Sequence, residues 1–159
     1  MTSKAAEGSF QRGLEALRAR GRETEALALF EAALTLDARA NGNSGEARYR
    51  SYYGMALGLF GGKIRQALPL CRKAAEEEFY NPEIWKNLGR LEMEAENKIE
   101  AHEAFVRGLR LAPGDAELRQ LLVILGRRRK PILSFLPRKH PLNVLLGRWT
   151  YRGDDDAGS

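Results

Sequence analysis

Three stretches of the chain share one spacing of small and large apolar residues, and this repeat limits the possible folds more than any other feature. The stretches are EALALFEAAL (25–34), QALPLCRKAA (66–75) and EAHEAFVRGL (100–109). In each, a small residue precedes a larger apolar one by four positions and another small one by seven, which places all three on one face of a helix. Small residues let a neighbouring helix approach closely. The pattern predicts a stack of similar helix pairs.

The third copy extends over 34 residues, PEIWKNLGRLEMEAENKIEAHEAFVRGLRLAPGD (82–115). This stretch resembles the tetratricopeptide repeat (TPR) family. The residues that match the family's spacing are Trp85, Leu88, Gly89, Ala101, Phe105, Gly108 and Pro113. The resemblance implies an all-α fold, a right-handed superhelical α-solenoid of three TPR helix pairs. A C-terminal capping helix and a basic, apolar extension would follow the third pair.

The first two copies differ from the third in one spacing. The glycine of the first helix precedes the first alanine of the second helix by 12 positions in the third copy and by 13 in the other two. One explanation is an extra residue in the turn, which puts Ser9 and Arg50 at the position of Trp85. The other is a shifted first helix, in which Phe10 takes that position. The sequence leaves both open.

The repeat spacing also predicts the boundaries. We expect a repeat domain over residues 1–130, with units at about 6–38, 46–81 and 82–115 and a capping helix at 115–130. The stretch DARANGNSGE (37–46) is polar and rich in glycine, which predicts a loop between the first two units. Asp115 is expected to be the N-cap of the last helix. Residues 131–151 make up the extension, and 152–159 are predicted to be a disordered acidic tail.

The chain offers little for catalysis. Cys71 is its only cysteine and stands where Phe30 and Phe105 stand in the other copies, which predicts a buried core thiol. The two histidines, His102 and His140, have no partner nearby in the sequence, and neither a glycine-rich phosphate loop nor zinc-ligand spacing occurs. We therefore expect a protein that is not an enzyme and has no cofactor or metal ion.

The positive charge is confined to the C-terminal part. Residues 1–126 contain 18 basic and 18 acidic residues, whereas 127–152 contain eight basic residues and no acidic one. Asp154, Asp155 and Asp156 subtract three, so the net charge of +5 comes entirely from residues 127–159. Nucleic acid is disfavoured as a partner, because the body is neutral and no recognition motif is present.

The resemblance implies a concave groove, lined by the first helix of each pair, that holds a peptide or helix of another protein. Asn87 matches an asparagine that often contacts the ligand backbone in this family, and Tyr52 and Gln11 take the equivalent places. Neighbours expected on the same surface are Arg48, Met55, Lys86, Arg90 and Met93. Their mixture of aromatic, thioether and cationic groups suits an acidic or amphipathic segment. The first unit lacks a matching lysine and asparagine pair, so the family's grip on a C-terminal carboxylate is not supported.

The C-terminal segment RRRKPILSFLPRKHPLNVLLGRW (127–149) combines arginines, prolines and large apolar residues. Within this segment, the residues expected to contact a docking partner or surface are Arg127, Arg128, Arg129, Lys130, Phe135, Leu136, Arg138, Lys139, Leu145 and Trp149. Three coverings remain open for this apolar surface. It could fold back on the last repeat, contact a partner protein such as a like subunit, or lie on an anionic membrane surface.

These observations predict a protein-interaction scaffold or adaptor that binds a partner segment in the concave groove. One alternative is a peripheral membrane adaptor that uses the C-terminal segment, and a further alternative is a TPR chaperone for a secreted or assembling partner. No apolar run typical of a secretory signal precedes Glu7. We therefore expect a cytoplasmic protein, or one that lies peripherally at the inner face of a membrane.

Overall fold

The computed structural model describes residues 3–41 and 46–127, the last of these by its backbone alone. Seven α-helices occur in these residues, and the fold class predicted from the repeat is confirmed. They are α1 (Lys4–Arg18), α2 (Glu23–Asn41), α3 (Ala47–Leu59), α4 (Ile64–Glu77), α5 (Pro82–Glu94), α6 (Lys98–Leu111) and α7 (Ala116–Arg127). Helices α1 to α6 form three pairs, and α7 is the predicted capping helix. All but the end of α7 belongs to the first of two units, Met1–Leu125.

The two helices of each pair meet where a glycine of the first helix lies under a side chain of the second. A Cβ atom added to Gly13 would lie 2.7 Å from Cε1 of Phe30, and one added to Gly54 would lie 2.7 Å from Sγ of Cys71. At Gly89 it would lie 2.5 Å from Cδ1 of Phe105. The three glycines are therefore equivalent, and the helices pack in the same register in every pair.

This equivalence decides between the two explanations of the unequal spacing. The turns at 19–22 and 60–63 contain one residue more than the turn at 95–97. Ser9 and Arg50 consequently occupy the position of Trp85, and all three side chains are buried.

A left-handed backbone conformation occurs in each of these turns. In the two longer turns it falls on Gly21 and Gly62, at φ 81° and 68°. In the shorter turn it falls on Glu96, at φ 65°. A residue with a Cβ atom is strained there, because its side chain crowds its own backbone.

One expectation about the first loop was wrong, because α2 continues to Asn41 instead of ending before Asp37. Asp37 is buried, and its carboxylate accepts hydrogen bonds from Nδ2 of Asn41 at 2.8 Å and from the backbone N–H of Glu46 at 2.9 Å. It also accepts one from the backbone N–H of Ser3 at 3.5 Å. The polar residues that predicted a loop therefore hold the last turn of α2 against the start of α3.

The core extends from pair to pair. Phe10, Phe30 and Tyr52 form a ring cluster between the first and second pairs, with centroids 5.1 to 5.7 Å apart. At the far end, Leu118 of α7 is buried in one cluster with Phe105. Asp115 is the N-cap of α7, as predicted. Its Oδ1 accepts hydrogen bonds from the backbone N–H groups of residues 117 and 118 at 2.9 and 3.0 Å.

The prediction for Cys71 is confirmed as well. The thiol is fully buried between α3 and α4 and donates to the carbonyl oxygen of Ser51 at 3.4 Å. Burial raises its pKa to about 12, with a smaller contribution from the charge of Glu92. Such a thiol is a packing group and a poor nucleophile.

Candidate partner-binding groove

The residues predicted to line the groove lie on α1, α3 and α5, and they differ widely in exposure. Gln11 is exposed, Arg48 and Arg90 have side chains 34% and 26% exposed, and Met93 is half-buried. The other four are buried, namely Tyr52, Met55, Lys86 and Asn87. This predicted set is therefore part surface and part helix interface.

Glu7 connects the first pair to the second. Its Oε2 lies 2.6 Å from Nη2 of Arg48 and accepts a hydrogen bond from the hydroxyl of Tyr49 at 2.7 Å. The amide of Gln11 donates to Oε1 at 2.7 Å. Hydrogen bonds from Gln11 and Tyr49 hold the pKa of Glu7 below its usual value, with a further contribution from Arg48. The guanidinium of Arg48 also lies 4.7 Å from the ring centroid of Phe10.

Two side chains connect the second pair to the third. The hydroxyl of Tyr52 donates to Oε2 of Glu83 at 3.2 Å, and burial, helped by the charge of Glu83, raises the pKa of Tyr52 to about 12. Nδ2 of Asn87, which is 1% exposed, donates to the hydroxyl of Ser51 at 3.2 Å. The asparagine that the family resemblance assigns to ligand contact thus joins α5 to α3 in this structure.

Lys86 connects the third pair to the capping helix. Its Nζ lies 2.8 Å from Glu83, 2.8 Å from Asp115 and 3.3 Å from Glu117. Burial alone would lower the pKa of Lys86, but hydrogen bonds to Asp115 and Glu83 outweigh it and raise the pKa. Glu117 also pairs with Arg90. Cations predicted to meet a ligand are therefore already paired with carboxylates of this chain.

Sequence reasoning missed these carboxylates. The pairing of Glu83 with Lys86 could have been found, because the two residues are three positions apart on one helix. Glu7 and Glu117 lie on other helices than the cations they pair with, and no local spacing indicates such a contact. Met93 shows the same limit, since it packs against the cluster formed with α7.

Among residues 3–41 and 46–126, no group of three His, Cys, Asp or Glu side chains could hold a metal ion. Within the same residues, each buried side-chain nitrogen or oxygen has a hydrogen-bond partner. The groups of this face that reach solvent are the exposed amide of Gln11, the partly exposed guanidinium groups of Arg48 and Arg90, and the half-buried thioether of Met93.

The residues predicted to form the C-terminal docking segment lie almost entirely outside the described part of the chain. Only the backbone of Arg127 is described, and the docking residues from 128 onward fall outside the described residues. None of α1 to α7 is long and apolar enough to cross a membrane.

Comparison with solved structures identifies the fold. The chain is similar to the TPR domain of Arabidopsis OM64, with a TM-score of 0.61 and 21% identity over 81% of this chain and 100% of that one. The first TPR of Spaghetti (RPAP3), bound to the HSP90 peptide SRMEEVD, has a TM-score of 0.62 and 17% identity, over 79% of this chain and 96% of that one. PcrH from Pseudomonas aeruginosa has a TM-score of 0.55 and 19% identity, over 79% of this chain and 89% of that one. No protein-family model matches the sequence, and no curated protein matches it either. The chain therefore has the TPR fold that its third repeat predicts.

Proposed function

We propose that this chain is a non-enzymatic protein-interaction scaffold that binds a segment of a partner protein on the face formed by α1, α3 and α5. One observation carries the proposal, namely that predicted groove residues from three separate helices come together. Arg48 contacts α1, Tyr52 contacts α5, and Asn87 contacts α3. A continuous surface over three pairs can contact an extended segment at several points, which is how repeat proteins gain affinity.

The exposed and buried groove residues have separate roles in this proposal. Gln11, Arg48, Arg90 and Met93 are exposed enough to contact the partner. The buried set, typified by Asn87, fixes the spacing of the three helices and so prepares the surface before the partner arrives. Preparation of this kind lowers the entropy cost of binding.

The pairing of the cations favours an amphipathic segment over a strongly acidic one. An acidic peptide would have to displace Glu7 from Arg48 or Glu117 from Arg90, and each displacement exposes a carboxylate that repels the incoming one. The RPAP3 domain was solved with the acidic peptide SRMEEVD. Here the first unit presents Glu7 on the same face, which disfavours that ligand chemistry. A segment with apolar and neutral polar side chains leaves these ion pairs intact.

Site-specific photo-crosslinking tests the proposal in the organism of origin. A photoreactive amino acid replaces Gln11 in one variant and Gln66 in the other, so that each variant loses one exposed glutamine of a helix. Gln66 lies on α4, the second helix of its pair, and serves as the matched control. We expect a discrete protein adduct at position 11 that is missing at position 66. The same adducts at both positions, or none at position 11, would contradict a groove function.

The two alternatives raised by the sequence stay predictions, as does the cytoplasmic location. The membrane alternative depends on residues 128–151, outside the described residues, and sedimentation with anionic and neutral liposomes distinguishes it. The chaperone alternative concerns the identity of the partner, which the crosslinked adduct would supply.

A further inference from the structure

A second surface lies away from the groove, where α4 is joined to α5. The two aromatic side chains of this turn are exposed, Phe79 by 66% and Tyr80 by 64%. They contact each other edge to face with centroids 5.7 Å apart. Leu111, at the end of α6, is exposed as well. Large apolar side chains held together in water are typical of a docking surface.

The exposed turn is fixed in place. The indole Nε1 of Trp85 donates to the carbonyl oxygen of Phe79 at 2.7 Å, and Trp85 itself is buried. The ring of Phe79 is therefore presented by a turn that is tied to the core, so a ligand need not order it on binding.

Two adjoining depressions open beside this ring. One has a volume of about 340 Å³ and the other about 280 Å³, and both are lined by Phe79, Trp85 and Arg107. The first reaches inward to Leu88, and the second outward to Leu111. Each is large enough to receive one aromatic or branched aliphatic side chain. We call this surface the Phe79 patch and define it as Phe79, Trp85, Arg107, Arg110 and Leu111.

The charges of the Phe79 patch differ from those of the groove. The guanidinium of Arg107 lies 4.9 Å from the ring centroid of Trp85, and Arg110 follows one turn later on α6. Within residues 3–41 and 46–126, neither arginine forms an ion pair, whereas Arg48, Lys86 and Arg90 in the groove all do. Arginine stacked on an aromatic ring keeps its planar edge free to bind a carboxylate.

We propose that the Phe79 patch is a second docking surface, which takes an acidic segment of a partner protein with one large apolar anchor side chain. The anchor enters a depression beside Trp85, and carboxylates next to it in the partner pair with Arg107 and Arg110. An acidic ligand is favoured here for the reason that disfavours it in the groove, since Arg107 and Arg110 have no ion-pair partner to give up within residues 3–41 and 46–126. Glu76 lines only the depression that reaches Leu88, so the carboxylates of the partner are expected beside the depression that reaches Leu111. The scaffold could then hold two partner segments at once, one on each surface.

Peptide selection tests this proposal and does not require the partner to be identified first. A display library of short random peptides is selected on the full chain and, in parallel, on the full chain carrying Phe79→Ala, Arg107→Glu and Arg110→Glu. We expect peptides found only with the unaltered chain to combine a large apolar residue with flanking Asp or Glu. Circular dichroism and thermal melts establish that the altered chain is folded, which is expected because Phe79 and both arginines are exposed.

Fluorescence anisotropy of the selected peptide then separates the two contributions. Arg107→Glu with Arg110→Glu should weaken binding about tenfold or more, and Phe79→Ala should weaken it about fivefold or more. The control, Arg20→Glu with Arg39→Glu, makes the same change in net charge at two exposed arginines of the first pair and should leave the affinity within about twofold.

Four results would overturn the proposal. One is that no selected peptide depends on the Phe79 patch. A second is that the patch-dependent peptides are neutral or basic. A third is that the control double variant weakens binding as much as the patch variant. The fourth is concentration-dependent self-association of the full chain that Phe79→Ala abolishes, which would assign the patch to a second copy of this chain.

Discussion

Replacing Gly89 with alanine probes the contact that sets the register of the third pair. The added Cβ would lie 2.5 Å from Cδ1 of Phe105, closer than such atoms pack in proteins. Phe105 is fully buried and its ring has little room to retreat. Overpacking of this kind costs about 1–3 kcal/mol, against a gain of about 0.5–1 kcal/mol from the higher helix propensity of alanine. We expect a net loss of about 1–2 kcal/mol in the free energy of unfolding.

A matched substitution at Gly8 should change the free energy of unfolding in the opposite direction. Gly8 lies inside α1, and a Cβ added there would meet nothing within 4 Å. Gly8→Ala should therefore raise the free energy of unfolding by about 0.5–1 kcal/mol through helix propensity alone. In thermal melts followed by circular dichroism, a change of 1 kcal/mol shifts the Tm of a domain of this size by about 4 °C. Gly8→Ala should thus melt above the unaltered chain and Gly89→Ala below it.

A double-mutant cycle assigns the loss to Phe105. Phe105→Leu removes the ring atoms nearest to the new methyl group, so Gly89→Ala should cost at least about 0.5 kcal/mol less in that background. If Gly89→Ala and Gly8→Ala raise the Tm equally, or if the cycle shows no coupling, the packing of α5 against α6 described above is wrong.

Three further predictions concern single residues. Glu96→Gly should raise the Tm by a few degrees, because glycine avoids about 1–2 kcal/mol of strain at this φ and loses about 0.5–1 kcal/mol to the entropy of the unfolded chain; an unchanged or lower Tm refutes this. Asp37→Ala should lower the free energy of unfolding in denaturant titrations by about 1–2 kcal/mol, because it removes a buried carboxylate that accepts hydrogen bonds from part-buried N–H groups of Asn41 and Glu46; a loss below about 0.5 kcal/mol, the usual effect of a surface substitution, argues against the Asp37 network. Cys71 should react with a thiol reagent about 100-fold more slowly in the folded chain than in denaturant, and its ionisation should lower stability as the pH rises from about 9.0 towards 12, because the unfolded thiol loses its proton first. Equal labelling rates, or a Cys71→Ala variant with the same alkaline loss of stability, would contradict the burial of this thiol.

The fold was largely predictable from sequence because it repeats. Alanine, glycine and phenylalanine at fixed offsets indicate the contact between the two helices of a pair, and that contact lies within about 20 residues of sequence. The register of the first two pairs was not predictable, since an extra turn residue and a shifted helix give the same spacing. Only the packing of Gly13 and Gly54 against the second helices distinguishes the two.

The end of α2 was mispredicted for a different physical reason. Asp37 and Asn41 have low helix propensity and normally favour turns, because their side chains compete for backbone hydrogen bonds. Here the carboxylate of Asp37 is engaged by Asn41 and by the start of α3, so the backbone remains helical. The pairing of Asp37 with Asn41, four positions apart on one helix, could have been found from the sequence, but the contacts of Asp37 with the backbone of Ser3 and Glu46 required the structure.

The positions of the groove residues on the helices were predicted from the sequence, but their burial and their hydrogen-bond and ion-pair partners required the structure. Asn87 has the expected place in α5, but its bond to Ser51 depends on how two pairs meet. The Phe79 patch was not predicted at all. Its exposure follows from the way the turn between two pairs is held, which sequence periodicity does not report.

Isothermal titration calorimetry with the segment crosslinked at position 11, made as a synthetic peptide, measures whether the face formed by α1, α3 and α5 binds the partner. The peptide is titrated into the full chain, into Gln11→Ala with Arg90→Ala, and into Gln66→Ala as the control. We predict binding that the groove variant weakens about tenfold or more and the control leaves unchanged. Equal affinity for all three chains would contradict the assignment of partner binding to the face formed by α1, α3 and α5.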